Sequence, residues 1–356
     1  MKKWIWLGLL VLVAVAVVSS RGTAFNAFFE QRPSPAIVER TPVETPETPQ
    51  PPQPQEVEIT PQVSADKLLA HIQKLNFQRY TNVERSRTRS YITTELQKLG
   101  WKPQLEKFAE GVNIFAQRQG TDKTAGAILV AAHYDTVAFS PGADDNGTGI
   151  AVVLEVARLL GSRSMPRTLQ LAFFDKEEAG LLGSRAFVTK AARLKNLRGV
   201  IVMDMVGYAC YTPGCQKYPV GLPVTPPSEK GDFLAVIADA EHLPLLSAFQ
   251  NSQTIPSIAQ NKQVANLPPV LTLPIPLKGL LTPDTLRSDH ASFWYQGIGA
   301  VLVTDTANLR TPHYHQPSDV PATIERSFFT GAAQIVVNAT SRLLEKNDTL
   351  ETQPPS

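Results

Sequence analysis

From about residue 63 the chain alternates between two patterns. Short, unbroken apolar runs read as strands buried on both faces, and stretches in which apolar residues return every three or four positions read as helices. Runs of the first kind are 126–132 (GAILVAA), 169–174 (LQLAFF), 199–203 (GVIVM) and 299–304 (GAVLVT). Helical spacing marks 65–75, 82–99, 148–160 and 323–344, and a further helix is expected from Ala179 to about Lys190. Lys107-Phe108 and 113–118 are weaker strand candidates. Strands alternating with helices of this length predict an α/β fold: three αβα layers, with a mostly parallel central sheet and helices on both faces. The stretch 208–285 is harder to read. Within it 232–240 predicts a helix, 268–275 a strand, and the Pro-rich remainder loop; beyond it, Ser288-Asp289-His290 opens another helix.

The two ends break this pattern. Lys2-Lys3 precede an uncharged apolar run, 4–18, closed by Ser19-Ser20-Arg21-Gly22. Residues 1–22 are read as a signal peptide or signal anchor, a transmembrane helix in the second case. The run is short beside the ~17–25 residues of a spanning helix, and the lysine pair predicts export of the chain beyond the run. Residues 23–62, with PETPQPPQPQ at their centre, cannot bury a core and read as an extended linker or stalk. The folded domain is then 63–346, with a disordered tail, 347–356, after it. This order places the domain outside the cytoplasm (periplasmic or extracellular), tethered to the membrane by the N-terminal segment or secreted if the signal is cleaved.

Composition adds two points. The net charge of +2 gives no case for a nucleic-acid partner. The only cysteines, Cys210 and Cys215, flank a Pro-Gly turn in ACYTPGCQ. After export they suit a disulfide, while half of a zinc site lacks its other half nearby. Asn146, Asn338 and Asn347 open N-x-[ST] sequons.

The candidate chemistry gathers where the apolar runs stop. In an open α/β sheet, ligands bind beyond the carboxyl ends of the strands. The 169–174 run ends in Asp175-Lys176-Glu177-Glu178, and a Glu pair alone is most simply a solvated pair in a helix's first turn. Other runs end in the same manner. His133, Glu178, Asp204 and His315 each come after a separate run, and Asp145 sits in a Gly-bounded loop before a helix. Two imidazoles and three carboxylates are zinc-type ligands. So many carboxylates raise one another's pKa unless a cation neutralises them. Five ligands exceed the three protein groups of one catalytic zinc, so two zinc ions sharing a carboxylate fit better.

These motifs resemble the co-catalytic di-zinc aminopeptidases of peptidase clan MH. The markers are His133-Tyr134-Asp135, Gly142-Ala143-Asp144-Asp145-Asn146-Gly147, EEAGLLGS at 177–184, Asp204-Met205-Val206-Gly207, Ser288-Asp289-His290 and Tyr314-His315. The resemblance spans about 83–319 and implies the zinc-dependent exopeptidase fold, two zinc ions and a peptide substrate. It implies that His133 and Asp204 bind one metal and Glu178 and His315 the other. Asp145 would bridge them, with Asp144 as its rival. Glu177 would be the general base, Asp135 would orient His133, and Tyr314 is a candidate donor to the oxyanion. His313 is the rival of His315, while His71, His290 and Tyr134 read as structural. Two other functions share this fold. Glutaminyl cyclases resemble the chain at FDKEE, but here Gly180-Leu181-Leu182 comes after the Glu pair without an insertion, and Tyr rather than Trp precedes His315. Non-catalytic receptor-like ectodomains share the anchor and stalk but lack metal ligands, and every ligand position here is filled.

Overall fold

The structure is a computed structural model and describes residues 61–219, 228–250, 267–345 and 350. The expected signal or anchor, nearly all of the linker, the Asn347 sequon and all of the tail but Leu350 lie outside the described residues. Among the described residues no helix is long and apolar enough to cross a membrane.

The described strands are β1 (Gln104–Phe108), β2 (Gly111–Arg118), β3 (Ala127–His133), β4 (Thr168–Phe174), β5 (Leu197–Met203), β6 (Leu234–Asp239), β7 (Val270–Ile275) and β8 (Ala300–Thr304). They form one sheet in the order β1-β2-β4-β3-β5-β8-β6-β7. The four central strands, β4-β3-β5-β8, are parallel. The hairpin β1–β2 joins antiparallel at one side, and the mutually parallel pair β6–β7 runs antiparallel to β8 at the other.

Helices α1 (Ala65–Lys74), α2 (Asn82–Lys98), α3 (Gly149–Leu160), α6 (Leu243–Gln250) and α8 (Arg326–Leu344) pack on one face. The short α4 (Leu182–Val188) and α7 (His290–Trp294) pack on the other, with α5 (Ala191–Leu194) beside α4. Along β3, Ile128, Val130 and Ala132 enter the first core while Ala127, Leu129 and Ala131 enter the second. That double burial explains why the central strands read as unbroken apolar runs.

Two expectations are corrected. Residues 232–240 are not a helix; they contain β6, paired with β8 and β7. Its Leu and Ala content favours helix locally, and burial on both faces hides the two-residue period of a strand. The helix expected from Ala179 to about Lys190 is only Leu182–Val188. The residues before it coil tightly: Gly180 N and Leu181 N both donate to Glu177 O, while Lys176 and Leu181 take positive φ. The helix α6 lies in the Pro-rich stretch that gave no helical signal.

Cys210 and Cys215 are joined in a disulfide. The sequons at Asn146 and Asn338 are buried, and both side chains bond inside the fold, Asn146 to Met203 O and Asn338 to Gln334. Neither is open to glycosylation in the folded chain.

The end of β4 is pinned by a buried ion pair. Arg85 Nε on α2 lies 2.8 Å from Asp175 Oδ1, with the side chains 3% and 1% exposed. Asp175 also accepts from Val112 N on β2 at 2.9 Å. Removing one partner of such a pair leaves the other charge buried, at a cost of about 3–5 kcal/mol. Asp175→Ala should therefore lower stability by that amount, read from urea unfolding of the wild type and variant.

Candidate metal centre

Strand register assembles this site. His133 is the last residue of β3 and lies level with Phe174 of β4. Ala131 pairs with Val202 of β5, which carries Asp204 to the level of His133. The loop after β4 holds Glu177 and Glu178, and the turn leading into α3 holds Asp145. His315 comes from the loop beyond β8. The local backbone is bent to suit: Lys176, Met205 and His315 all have φ between 54° and 61°, a region non-glycine residues avoid. Such outliers persist where the surroundings hold them, and they cluster at functional sites.

The geometry centres on Asp145. Its Oδ1 is 3.3 Å from His133 Nε2 and its Oδ2 is 3.2 Å from His315 Nε2. His133 Nε2 also lies 3.6 Å from Asp204 Oδ1 and 3.9 Å from Glu177 Oε2. His315 Nε2 lies 3.1 Å from Glu178 Oε2. Two groups able to hold a cation result, His133–Glu177–Asp204 and Asp145–Glu178–His315, each with its donor atoms within 4.8 Å of one another.

Electrostatics tests whether a cation suits these atoms. Burial, then the carboxylates of Asp204, Asp289 and Glu178, push Glu177 well above the usual carboxylate range against the pull of His133. Burial and Asp145 raise Glu178 to about 7. Burial opposes charge on both histidines, yet the carboxylates around them win: His133 is raised far up and His315 to about 10. Burial likewise works to raise Asp145, and the two imidazoles hold it down. Both ring nitrogens of His133 and Glu178 Oε1 are buried without a hydrogen-bond partner. Such a cluster binds positive charge, as protons or as metal ions, and its orphaned N and O donors are zinc ligands. The residues present fit zinc.

The remaining sequence candidates separate clearly. Asp144 turns away from the imidazoles; it accepts from Thr148 Oγ1 and Gly207 N, both at 2.9 Å. Asp135 Oδ1 lies 3.6 Å from His133 Nδ1, too long for a hydrogen bond. Its two oxygens instead accept from the amides of Glu177 and Glu178 at 3.0 and 3.2 Å, so it holds the Glu loop. Tyr134 is buried and donates to Val112 O. His290 is buried against Trp294 and donates through Nε2 to Thr285 O, and His71 Nδ1 lies 2.7 Å from Tyr91 Oη on α2. His313 Nδ1 is 2.9 Å from Ser318 Oγ, outside both groups. Tyr314 stacks on His315.

Sequence reasoning gave no role to Asp319 or Arg79. Asp319 accepts from the amides of Asp144 and Asp145 at 2.9 and 3.0 Å. Arg79, fully buried, donates to the carbonyls of Tyr134, Leu75, Pro141 and Gly142, all within 2.8 Å. Neither lies in a motif that announces it; an Arg after a helix has no local signal of burial.

A cavity of about 450 Å³ opens beside the cluster, lined by Asp145, Glu177, Glu178, Asp204, Tyr314 and His315. Its floor is the sheet itself. Ile237 of β6 pairs with Leu302 of β8 and Leu273 of β7, and all three line the cavity. The opposite face of β6 carries Leu234, Val236 and Ala238 into the main core.

Arg79→Met tests the loop clamp. It takes a donor from four carbonyls: Leu75 O and Gly142 O keep the amides of Phe77 and Gly147, while Tyr134 O and Pro141 O are left unpaired, at about 1–3 kcal/mol each. A loss of about 2–6 kcal/mol in urea unfolding is expected.

Residues 113–225 match the model of Peptidase family M28. The chain is 30% identical over 225 residues to the uncharacterized protein YfbL of Escherichia coli, covering 59% of this chain and 64% of that one. It is 45% identical over 82 residues to the aminopeptidase YwaD of Bacillus subtilis, 22% of this chain and 18% of that one. The chain thus spans less than two thirds of either relative. Its fold is that of solved aminopeptidases: the aminopeptidase of Aneurinibacillus sp. strain AM-1 superposes with a TM-score of 0.60 at 16% identity, over 82% of this chain and 97% of that one. The glutaminyl cyclase of Porphyromonas gingivalis shares the fold too, with a TM-score of 0.55 at 17% identity, over 79% of this chain and 99% of that one. The matched segment runs through the loops that bear His133, Asp145, Glu178 and Asp204, so the chain is similar to peptidase family M28 where four of the five candidate ligands lie.

Proposed function

We propose that the chain is an extracytoplasmic aminopeptidase that uses two zinc ions to release N-terminal residues from peptides. The observation that carries this reading is Asp145, whose two oxygens face two different imidazoles at 3.3 and 3.2 Å. Each side then has a complete ligand set without Glu177: His133 and Asp204 on one, His315 and Glu178 on the other, with Asp145 shared. A zinc pair supplies Lewis acidity, making water nucleophilic near neutral pH and polarising a carbonyl.

The chain's own residues supply the rest. Glu177, made more basic by burial and its carboxylate neighbours, takes the proton of the attacking water and returns it to the leaving amine. Asp135 fixes the two Glu amides and so keeps base and ligand apart. Tyr314 reaches the cavity and donates to the oxygen of the carbonyl under attack. The apolar floor of Ile237, Leu273 and Leu302 takes an apolar side chain next to the scissile bond. A wall of carboxylates suits a free α-ammonium better than a terminal carboxylate, which favours aminopeptidase over carboxypeptidase action. The disulfide agrees with an oxidising compartment. Export, and tethering near the membrane by residues 1–22, rest on the apolar run and the stalk in the sequence.

The second reading, a glutaminyl cyclase, is favoured by the shared fold and needs only one zinc. Hydrolysis of aminoacyl-nitroanilides and cyclisation of a glutaminyl peptide, measured beside metal content, separate the two. The expected result is about two zinc ions per chain and release of nitroaniline. One tight ion with cyclisation alone would reverse the choice.

The Glu pair gives a sharper check. Glu177→Gln should keep both metals and lose roughly 10²–10⁴ in turnover. Glu178→Gln should weaken one metal, seen as zinc content falling on dialysis. Loss of zinc from Glu177→Gln with retention in Glu178→Gln would exchange the two roles.

A further inference from the structure

Arg287 lines the same cavity and takes no part in the chemistry above. It comes after a 3-10 turn, Pro283–Leu286, and leads into α7. Its guanidinium is held at two points. One Nη donates to Tyr314 Oη at 2.8 Å and the other to Asn308 Oδ1 at 2.9 Å. The Tyr314 ring in turn stacks on the His315 imidazole, with centroids 3.7 Å apart and planes 20° from parallel. The phenol is thus fixed both by its ring and by its oxygen.

The polarity of that contact is forced. A guanidinium carries five N–H donors and no acceptor. Tyr314 Oη must accept from Arg287, so the phenol's own proton points elsewhere. Among the described residues no protein group accepts that proton. Arg287, Tyr314 and His315 all face the cavity, which leaves the cavity as the open direction for the proton. A side chain with an acceptor in place of Arg287 would let the phenol turn its proton to the wall. The ligand would then meet only oxygen lone pairs, which repel a carbonyl.

We propose that Arg287 is a positioning residue that fixes Tyr314 as a hydrogen-bond donor to the carbonyl oxygen of the bound peptide. Its positive charge also strengthens that donor as the oxygen becomes an oxyanion. The proposal rests on the aminopeptidase reading, and it assigns to Arg287 an effect on turnover that passes entirely through Tyr314.

A double-mutant cycle on the full zinc-loaded chain tests it. Rates on an aminoacyl-nitroanilide are compared for wild type, Arg287→Met, Tyr314→Phe and the double variant, with zinc content and thermal midpoint recorded for each. Tyr314→Phe should lose roughly 10²-fold in kcat, the scale of one oxyanion donor. Arg287→Met should lose roughly 10-fold or more in kcat with KM little changed. The double variant should be no slower than Tyr314→Phe alone, the signature of two residues acting as one unit. Arg287→Lys, still a pure donor, should recover much of the rate, and Arg287→Gln, which offers an acceptor, should not. The exposed Arg287 should leave zinc content and thermal midpoint unmoved. Losses that multiply in the double variant, or an Arg287→Met effect confined to KM, would overturn the proposal while leaving the aminopeptidase reading standing. A wild type that releases no nitroaniline would overturn that reading, and the proposal with it.

Discussion

The constraint on which the site depends is electrostatic. Asp145, Glu177, Glu178 and Asp204 meet at one edge of a sheet, three of them buried or nearly so. Carboxylates that close, with little water, cannot all stay ionised on their own. The two imidazoles supply part of the missing positive charge only by taking up protons, and their pKa values move upward to do so. Divalent cations satisfy the same demand without protons. The positive-φ residues Lys176, Met205 and His315 belong to this account, because they hold in place groups that would otherwise move apart. Local strain at a cluster of like charges is sustained only by interactions elsewhere in the fold.

Those interactions are identifiable. The parallel register of β4, β3 and β5 sets the level of His133, the Glu loop and Asp204 together. Loops do the remainder, and each is gripped by a side chain that is itself buried. Asp319 holds the amides of Asp144 and Asp145, Asp135 those of Glu177 and Glu178, and Arg79 the carbonyls from Tyr134 to Gly142. Backbone groups in irregular loops need partners when they are buried. Here a few charged side chains partner several of them at once and fix the loop shape in doing so.

Much of this was legible in the sequence, for a physical reason. The central strands are buried on both faces and so appear as unbroken apolar runs, and the residue types just beyond them are those that can ligate a metal rather than ordinary loop residues. What escaped reading was of two kinds. Residues of β6 resemble a helix because their strand period is hidden by double burial. Asp319 and Arg79 matter through backbone groups distant in sequence, and one chain's residue order does not show which amide an Asp will meet. The choice between Asp144 and Asp145 was open for a related reason. Adjacent residues differ in direction, not in chemistry, and it is Thr148 and Gly207 that claim Asp144 for the interior.

The two halves of the sheet divide the labour. The parallel centre ends in candidate ligands, and helices pack on both of its faces. The appended pair β6–β7 runs against β8, so its carboxyl ends point away from the candidate metal centre and bring no residue of either group to it. Its contribution is a surface. One face carries Leu234, Val236 and Ala238 into the same core as Leu245, Leu246 and Phe249 of α6. The other presents Ile237, Leu271 and Leu273 to the cavity. Apolar sheet surface facing a cavity gains free energy when an apolar group covers it. On the aminopeptidase reading, a substrate side chain laid on that floor would be drawn in by hydrophobic burial, with its peptide group at the charged edge next to it. On the same reading, changes in β6 and β7 would alter which residue is accepted without touching the charge balance of the cluster.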